Sequence, residues 1–266
     1  MIEKLTHLIN LLKDMQSVIL AYSGGVDSTF LLKAMQLADI KTLAVTVVSE
    51  IMPHDDLLSA KRMTEYLGMN HRIIKTEMLS DEEFARNTPE RCFFCKDKLF
   101  RKLIDIAVSE KYMFVLDGSI ADDTMDYRPG RKAAIKYNIK SPLMELDISK
   151  KEVREFSRQI GLSTWNKPSS PCLSTRVPYG IRITQEVLKR VEASEDFIRS
   201  FGFSEVRVRD HGSIARIEVG EDEIGFLLNP ETRKTISERL KSLGYKFISL
   251  DLDGYITGSL NREFSL

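Results

Sequence analysis

Short apolar strands alternate with helical segments along the first 117 residues, and this alternation is the strongest constraint on the fold. Strands are predicted at 17–21, 41–49, 71–75 and 113–117, and helices at 2–14, 29–37, 54–67 and 96–110. Such alternation is typical of a parallel sheet with helices on both faces. Ligands of such sheets bind at the carboxyl ends of the strands. The sequence therefore predicts an α/β fold with a doubly wound parallel sheet.

The C-terminal part has a different pattern, which indicates a second domain. A charged helix at 151–160 is followed by a stretch rich in Ser and Pro, 163–180. Beyond it, helices are predicted at 185–200 and 230–242, and strands at 205–209, 214–219 and 246–250. We therefore predict a larger α/β domain over residues 1–165, a linker over 166–182 that carries Cys172, and a smaller α+β domain over 183–266.

Composition narrows the class of protein. Hydrophobic residues make up 42% of the 266 residues and charged residues 29%, which is typical of a globular chain. The 39 basic and 39 acidic residues give zero net charge, which argues against a protein that coats nucleic acid. Because no run of about 18 apolar residues and no signal peptide occurs, we expect a cytoplasmic protein that does not bind membranes. Three cysteines make a poor disulfide framework and suit metal ligands or a catalytic thiol better.

A glycine-containing segment, Ser23-Gly24-Gly25-Val26-Asp27-Ser28, follows the first predicted strand and opens a helix. Glycines allow unusual backbone angles and a close approach of amides to an anion, and a helix N-terminus adds free N–H groups. The segment has neither the Gly-Lys-Ser/Thr ending of a Walker A loop nor a G-x-G-x-x-G pattern. We interpret it as a pyrophosphate cradle; a strand-to-helix turn capped by Ser is the alternative.

This S-G-G-x-D-S segment resembles the PP-loop of the ATP pyrophosphatases. Members of that group split ATP between its α and β phosphates, adenylate a carbonyl or carboxylate oxygen, and let nitrogen or sulfur displace AMP. The resemblance implies that the pyrophosphate end of ATP is held by Ser23, Gly24, Gly25, Asp27 and Ser28. It also implies an adenine nucleotide alpha-hydrolase-like sheet, with Ser49 at a strand end beside the adenine.

The three cysteines lie in two places. Cys92 and Cys95 are three residues apart near a predicted helix start, a spacing that suits one metal ion or one cluster. Cys172 follows Pro171 and precedes Arg176, in a setting that looks like a site. Three thiolates could hold a [4Fe-4S] cluster and leave one iron open for a sulfide. Zinc with a histidine as fourth ligand, and a redox pair with a separate Cys172, remain alternatives.

Several further segments resemble the LarE family of ATP-dependent sulfur transferases, which help to make the nickel-pincer nucleotide cofactor. The resemblance covers nearly the whole chain and is carried by Asp117-Gly118-Ser119, Asp122-Asp123-Thr124, Asp126-Tyr127-Arg128-Pro129-Gly130, Ser141-Pro142-Leu143, Lys167-Pro168, Cys172-Leu173, Arg176 and Pro178-Tyr179-Gly180. It implies that a carboxylate of pyridinium-3,5-biscarboxylic acid mononucleotide is adenylated with ATP and Mg²⁺. Sulfur then displaces AMP and leaves a thiocarboxylate.

The resemblance implies two sulfur sources. Some members sacrifice their own cysteine and keep dehydroalanine, and Cys172 matches that position. Those members lack the C-x-x-C pair. The presence of Cys92 and Cys95 as well resembles the branch in which three cysteines hold a [4Fe-4S] cluster and pass on an extra sulfide. A sulfide donor, a homo-oligomer and a downstream nickel-inserting protein are the partners that follow.

Other candidate residues are charged. Asp122, Asp123 and Asp126 could hold Mg²⁺, and turn formation is the alternative reading. Arg128 could face phosphate. Arg207 and Arg209 share one face of a predicted strand, where guanidinium forks suit a substrate phosphate and a solvated sheet face is the alternative.

Two more roles and three rival functions complete the sequence-based predictions. Arg176 is a further anion candidate, and Glu195 and Glu218 are candidates for a metal or subunit contact. Rival functions are tRNA thiolation, amidation with ammonia, and a cluster carrier; the first disagrees with the zero net charge.

Overall fold

The structure, a computed structural model, describes residues 2–124, 128–256 and 258–259. Asp126 and Tyr127, which carry part of the family resemblance, lie outside the described residues. The chain divides into two compact units. The first comprises Met1–Met78 and Glu90–Ser170, and the second comprises Leu79–Pro89 and Pro171–Leu266. Residues 79–89 thus belong with the C-terminal unit. The three-part division predicted from the sequence placed them in the larger domain, residues 1–165.

The helices and strands follow one another in a regular order in the first unit and more irregularly in the second. The strands are β1 Ser17–Ala21, β2 Lys41–Val48, β3 His71–Lys75, β4 Phe114–Leu116, β5 Val206–His211, β6 Ile214–Val219 and β7 Phe247–Leu250. The α-helices are α1 Ile2–Met15, α2 Val26–Ala38, α3 His54–Tyr66, α4 Glu82–Ala85, α5 Arg91–Glu110, α6 Gly130–Lys136, α7 Pro142–Glu145, α8 Lys150–Gln159, α9 Gln185–Arg199, α10 Ile224–Leu227 and α11 Pro230–Ser242.

The first unit is built on a four-stranded parallel sheet in the order β3-β2-β1-β4. Successive residues of a strand face opposite sides of a sheet. Accordingly, Val18 and Leu20 of β1 pack in a core with α1, α2 and α8, while Ile19 packs in a second core with α5 and α6. Helices therefore cover both faces, and the predicted parallel α/β sheet is confirmed.

The order of the strands reverses at β1. The chain moves outward from β1 to β2 and β3, and then returns to the other side of β1 to form β4. Ligands of open α/β sheets bind at the strand carboxyl ends where the order reverses in this way. The segments that leave β1 and β4 at this edge are Ser23–Ser28 and Asp117-Gly118-Ser119. They are the segments singled out from the sequence.

The second unit contains the predicted smaller sheet. Strands β5 and β6 form an antiparallel hairpin, and β7 lies parallel to β6. The apolar face, with Val206, Val208 and Ile217, forms a core with α9 and α11. Asn87 is fully buried, and its side-chain amide donates to the carbonyl oxygens of Val177 at 3.2 Å, Pro178 at 2.8 Å and Ile181 at 3.0 Å. These bonds hold residues 79–89 in this unit.

Most predicted elements are confirmed within two residues of their ends, but α2 begins at Val26 instead of Thr29, and α5 is also longer than predicted. It begins at Arg91, where the sequence predicted a start at Lys96. Both Cys92 and Cys95 therefore lie inside the helix. Within the described part of the chain, no helix is both long and apolar enough to cross a membrane.

His71, the first residue of β3, lies in a network of hydroxyl groups. Its Nε2 is 2.8 Å from Thr46 Oγ1 and its Nδ1 is 3.0 Å from Thr64 Oγ1. Burial lowers the pKa of His71 below its ordinary value, and the nearby charge of Lys61 lowers it further. The folded state therefore binds the proton less readily than the unfolded state does.

The lowered pKa of His71 predicts a loss of stability in acid. As the pH falls below about 6.5, the unfolded chain takes up a proton that the folded chain resists, so the free energy of unfolding decreases. The decrease levels off once the pH is below the folded-state pKa. Urea unfolding at several pH values between 7.5 and 5 checks this. His71→Gln should flatten the pH dependence, whereas replacing the exposed His7 by Gln should leave it unchanged. Equal slopes in the wild type and His71→Gln would contradict the assignment.

Candidate active site

The glycine turn, residues Ser23–Ser28, follows β1 and includes the first three residues of α2. Gly24 has φ +72°, and a Cβ at this position would lie 2.8 Å from the backbone nitrogen of Ala60. Only glycine fits there, because a side chain would both strain the backbone and collide with α3. Gly25 is the N-cap of α2 and makes no side-chain cap hydrogen bond. The first-turn N–H groups of this helix are thus not covered by a capping side chain.

Hydroxyl groups and Gly118, from the loop after β4, surround the N-terminus of α2. Ser23 Oγ is 3.1 Å from Ser28 Oγ and accepts a 3.3 Å bond from the Gly25 N–H. On the β4 side, a Cβ at Gly118 would lie 3.0 Å from the Ser28 nitrogen, so this loop packs directly against the start of α2. Backbone amides, hydroxyls and a helix N-terminus at a strand end form a surface that favours a phosphate-like anion.

Carboxylates line the edge around the glycine turn. Both oxygens of Asp27 accept hydrogen bonds from Lys150 Nζ at 2.8 Å. Asp117 accepts from the hydroxyls of Ser119 at 2.8 Å and Ser141 at 2.7 Å. Burial raises the pKa of Asp123, and the charges of Asp27 and Asp117 raise it further, while Arg128 acts in the opposite direction. The three carboxylates are therefore close enough for their charges to interact.

The acidic segment also has local structural roles. Asp122 accepts from the backbone N–H of Lys150 at 2.7 Å, at the start of α8. Asp123 accepts from the Ile120 N–H at 3.1 Å and pairs with Arg128 at 2.8 Å. Ser49 follows β2 at the same edge of the sheet. The turn-forming role considered for these aspartates is therefore present, and Mg²⁺ binding stays a prediction.

Cys92 and Cys95 lie in the first two turns of α5 and are partly exposed. Residues three apart share one side of a helix, and a helix N-terminus favours negative charge such as that of a thiolate. None of the three cysteines forms a disulfide. The pair fits two ligand positions of one metal ion or cluster. Taken separately, neither unit brings together three metal-ligating side chains among its described residues.

Cys172 lies in the second unit, just before the short 3-10 helix Leu173–Arg176. Its Sγ is 2.9 Å from Ser174 Oγ. The guanidinium of Arg176 donates to the carbonyl oxygens of Pro171 at 2.7 Å and Cys172 at 3.1 Å. The same guanidinium binds both oxygens of Glu195, at 2.8 and 3.0 Å, and both side chains are 1% exposed. Arg176 thus fixes the backbone at Cys172.

Arg207 and Arg209 lie on one face of β5, as predicted, but this face is buried. Arg209 binds both oxygens of Glu218 at 2.8 Å and donates to the carbonyl of Thr175 at 2.7 Å. Arg207 lies over the Tyr255 ring at 4.6 Å; burial lowers its pKa, as does the nearby charge of Arg176. The two arginines are 4% and 6% exposed, so the alternative of a solvated sheet face is wrong.

Three residues near the glycine turn have no role predicted from the sequence: Lys150, Lys167 and Asp56. Lys150 pairs with Asp27, and Lys167 pairs with Asp56 at 3.0 Å and with the carbonyl of Gly24 at 3.1 Å. Lys167-Pro168 carried part of the family resemblance, which was the one available signal. Lys150 is 123 residues from its partner, and no local pattern marks it.

Three known proteins are similar to this chain over almost its full length. No protein-family model matches the chain. Pyridinium-3,5-bisthiocarboxylic acid mononucleotide synthase of Lactiplantibacillus plantarum is 39% identical over 256 residues, which cover 96% of this chain and 92% of that protein. An uncharacterised protein of Synechocystis is 38% identical over 260 residues, covering 97% of both chains. Another, of Methanocaldococcus jannaschii, is 32% identical over 262 residues, covering 96% of this chain and 98% of that one.

Identity at this level over nearly the whole of both chains establishes common descent and a shared fold. The sequence motifs, the glycine turn at the end of β1 and the synthase of Lactiplantibacillus plantarum point to the same family. The chain therefore belongs to the LarE family, that of pyridinium-3,5-bisthiocarboxylic acid mononucleotide synthase.

Proposed function

We propose that this protein is an ATP-dependent sulfurtransferase that converts carboxylates of pyridinium-3,5-biscarboxylic acid mononucleotide into thiocarboxylates, in nickel-pincer nucleotide biosynthesis. The observation that carries the proposal is the glycine turn at the switch point of the parallel sheet, in a chain 39% identical to a synthase named for the bisthiocarboxylic product. We propose that the first unit has the PP-loop fold and binds ATP, and that residues 183–266 bind substrate and contribute to a homo-oligomer.

The first half-reaction is adenylation. A substrate carboxylate oxygen attacks the α-phosphorus of ATP, and the bond from that phosphorus to the bridging oxygen of the β-phosphate breaks. Pyrophosphate leaves with the electron pair. The first-turn amides of α2 and the hydroxyls of Ser23 and Ser28 hold the leaving group, where charge develops. Lys150 pairs with Asp27 and is a further cation close to the turn.

Two observations fit a Mg²⁺ ion that arrives with ATP. Mg²⁺ usually needs only one or two protein carboxylates because phosphates and waters supply the other ligands. Asp27 and Asp123 would provide them. Burial raises the pKa of Asp123, and the charges of Asp27 and Asp117 raise it further, so a nearby cation would favour its charged form. When bound, the ion would neutralise phosphate charge.

The second half-reaction replaces AMP by sulfur. A carboxylate lacks a leaving group, whereas the acyl adenylate releases AMP. We propose Cys92, Cys95 and Cys172 as ligands of a [4Fe-4S] cluster; the donor set is right for iron, and the first two thiols share one side of α5. When bound, the cluster would supply an iron-bound sulfide. Arg176 holds the Cys172 backbone in place for this role.

Arg207 and Arg209, in the second unit, are the proposed contacts for the phosphate of the substrate. The buried carboxylates Glu195 and Glu218 are surrounded by arginines: Arg176, Arg199, Arg207, Arg209 and Arg216. Burial lowers the pKa of Arg207, and the nearby charge of Arg176 lowers it further, a cost of the charged form that a bound phosphate would reduce. Its guanidinium also suits the fork-like contacts that a phosphate makes.

Pyrophosphate release tests the proposal. The protein, incubated with ATP, Mg²⁺ and pyridinium-3,5-biscarboxylic acid mononucleotide, should release pyrophosphate only when the mononucleotide is present. Asp27→Asn should reduce the rate by about 10²-fold or more, because it removes a carboxylate that would hold Mg²⁺ at the phosphates. Glu110→Gln, which breaks the Arg72 pair elsewhere in the first unit, should leave the rate unchanged.

Two other outcomes would redirect the assignment. Pyrophosphate release stimulated by tRNA instead of the mononucleotide would favour the rival tRNA thiolation enzyme. Stimulation by neither would contradict ATP-dependent activation altogether. A cluster carrier without enzymatic activity would bind iron but would also fail to release pyrophosphate.

A further inference from the structure

A lysine outside the glycine turn binds one of its carbonyl groups. Lys167 Nζ donates to the carbonyl oxygen of Gly24 at 3.1 Å and to Asp56 Oδ1 at 3.0 Å. The hydroxyl of Ser170 donates to Asp56 Oδ2 at 2.7 Å. All of these residues belong to the first unit. Lys167 and Asp56 are both largely buried, with side chains 23% and 12% exposed.

These contacts fix the orientation of the peptide between Gly24 and Gly25. In a trans peptide the C=O and the following N–H point in opposite directions. Because Lys167 attracts the Gly24 oxygen, the Gly25 N–H points away from the lysine, and here it donates to Ser23 Oγ at 3.3 Å. Gly24 has φ +72° and no Cβ, so the steric barriers that would hold this peptide plane at another residue are weaker. The ammonium group of Lys167, which lies outside the glycine turn, therefore supplies part of the restraint on this peptide plane.

Asp56 and Ser170 in turn orient the lysine. The ammonium group of a lysine is carried on a flexible four-carbon side chain and can point in many directions. The Asp56 carboxylate, with its second oxygen bound by Ser170, leaves the ammonium aimed at Gly24. Ser59 Oγ also approaches the same carbonyl, at 3.5 Å, from α3. The result is a chain of contacts from Ser170 through Asp56 and Lys167 to the glycine turn.

We propose that Lys167 and Asp56 are positioning residues for pyrophosphate binding. They hold the Gly24–Gly25 peptide so that its N–H and the first turn of α2 present their donors to the pyrophosphate portion of ATP. This inference rests on the proposed function, because it concerns the ATP site. Neither residue needs to touch the nucleotide, since each acts through the backbone of the turn.

The test compares Lys167→Met with Lys4→Met. Lys4 has the same pattern of contacts in the same unit, a carbonyl oxygen, that of Asp147, at 2.6 Å and a carboxylate, that of Glu152, at 2.9 Å. Binding of inorganic pyrophosphate, measured by calorimetry at low temperature, should weaken by about 10-fold or more in Lys167→Met, because misplacing a preorganised donor typically costs at least this much. Lys4→Met should bind pyrophosphate as the wild type does.

Three further measurements separate positioning from mere stabilisation. The melting temperature without ligand should be similar in the two lysine variants, while the upward shift caused by pyrophosphate should shrink only in Lys167→Met. Asp56→Asn should show the same loss to a smaller degree, because the lysine remains but is less well aimed. Lys167→Arg, which keeps a cationic donor, should recover part of the affinity. In turnover, Lys167→Met should lower kcat for pyrophosphate release more than it raises KM for the mononucleotide.

The outcomes distinguish this inference from the proposed function. If the wild type binds neither ATP nor pyrophosphate, the proposed function itself is overturned. If the wild type binds them and folded Lys167→Met binds them equally well, the positioning role is wrong. If Lys167→Met unfolds, unchanged pyrophosphate affinity in Asp56→Asn would likewise overturn the positioning role.

Discussion

Replacing Cys172 by Ala is expected to abolish thiocarboxylate formation while substrate-dependent pyrophosphate release continues. Adenylation uses a substrate oxygen and the donors of the glycine turn, and none of these is the thiol. Sulfur transfer requires Cys172 whether it ligates a cluster or gives up its own sulfur. We expect product to fall by about 10³-fold or more, the scale of loss when a group that takes part in bond formation is removed.

The structure explains why this variant should fold. Arg176 binds the carbonyl oxygens of Pro171 and Cys172, which a change of side chain leaves in place. The thiol itself loses one contact, at 2.9 Å to Ser174 Oγ. Ser174→Ala is therefore a matched control that removes the same contact and keeps the sulfur. Mass spectrometry of the product and a coupled pyrophosphate assay read the two half-reactions separately. Wild-type amounts of product from Cys172→Ala would exclude both sulfur sources.

Iron analysis, together with the activity of Cys92→Ala, distinguishes the two sulfur sources. Protein purified without oxygen should contain about four irons and at least four acid-labile sulfides if the three thiolates hold a [4Fe-4S] cluster. Changing Cys92, Cys95 or Cys172 to Ala should then remove the iron. With the sacrificial mechanism, Cys172 would lose the elements of H₂S after a single turnover, and Cys92→Ala would retain activity.

The first unit could be predicted from the sequence because its determinants are local. The apolar run of β1 and the glycines that follow it are adjacent in the chain, so both the strand and the turn can be read together. Parallel strands all end at one edge of the sheet, which is why separate segments after β1 and β4 could be assigned to one site. Topology then follows from a small set of allowed connections.

The remaining features depend on partners distant in sequence. The period of two placed Arg207 and Arg209 on one face of β5, but burial of that face depends on covering groups such as Thr175 and Tyr255. The pairing of Lys150 with Asp27 joins residues 123 positions apart. Such pairs leave no periodic signal, because any surface lysine looks the same in sequence. For the same reason, Asn87 gave no sign of the three carbonyl groups that it binds.

Glu195→Gln is expected to cause the largest loss of stability in the second unit. Glu195 accepts hydrogen bonds from Arg176, from Arg199 at 2.7 Å and from the Val208 N–H at 3.0 Å, and it is 1% exposed. Burial opposes ionisation, yet Arg176 and Arg199 lower the pKa of Glu195, so the carboxylate is charged in the folded protein. Gln keeps the size but leaves buried guanidiniums without the balancing charge. Breaking a buried pair in this way costs about 3–5 kcal/mol.

Denaturant unfolding of single and double variants shows whether the loss of stability comes from leaving one buried charge without its partner. Arg176→Met alone should also be strongly destabilising, since it leaves Glu195 buried without its main partner. Arg176→Met combined with Glu195→Leu removes both charges, and apolar replacements of buried pairs recover much of the lost stability. A double variant as unstable as the sum of the single variants would show that the pair is not energetically coupled.

The stable double variant then tests what the ion pair does for the site. Without Arg176, the carbonyl oxygens of Pro171 and Cys172 lose their shared donor. The Cys172 carbonyl keeps its bonds from the N–H and hydroxyl of Thr175, so the Cys172 backbone is held less firmly. We expect pyrophosphate release close to that of the wild type but a yield of thiocarboxylate lower by about 10-fold or more, because misplacement of a reacting group by about an ångström has this effect. Equal losses in both half-reactions would instead mean that the pair only stabilises the fold. A buried Arg–Glu pair is rarely needed for stability alone, and its position beneath the cysteine backbone gives it a reason to be retained.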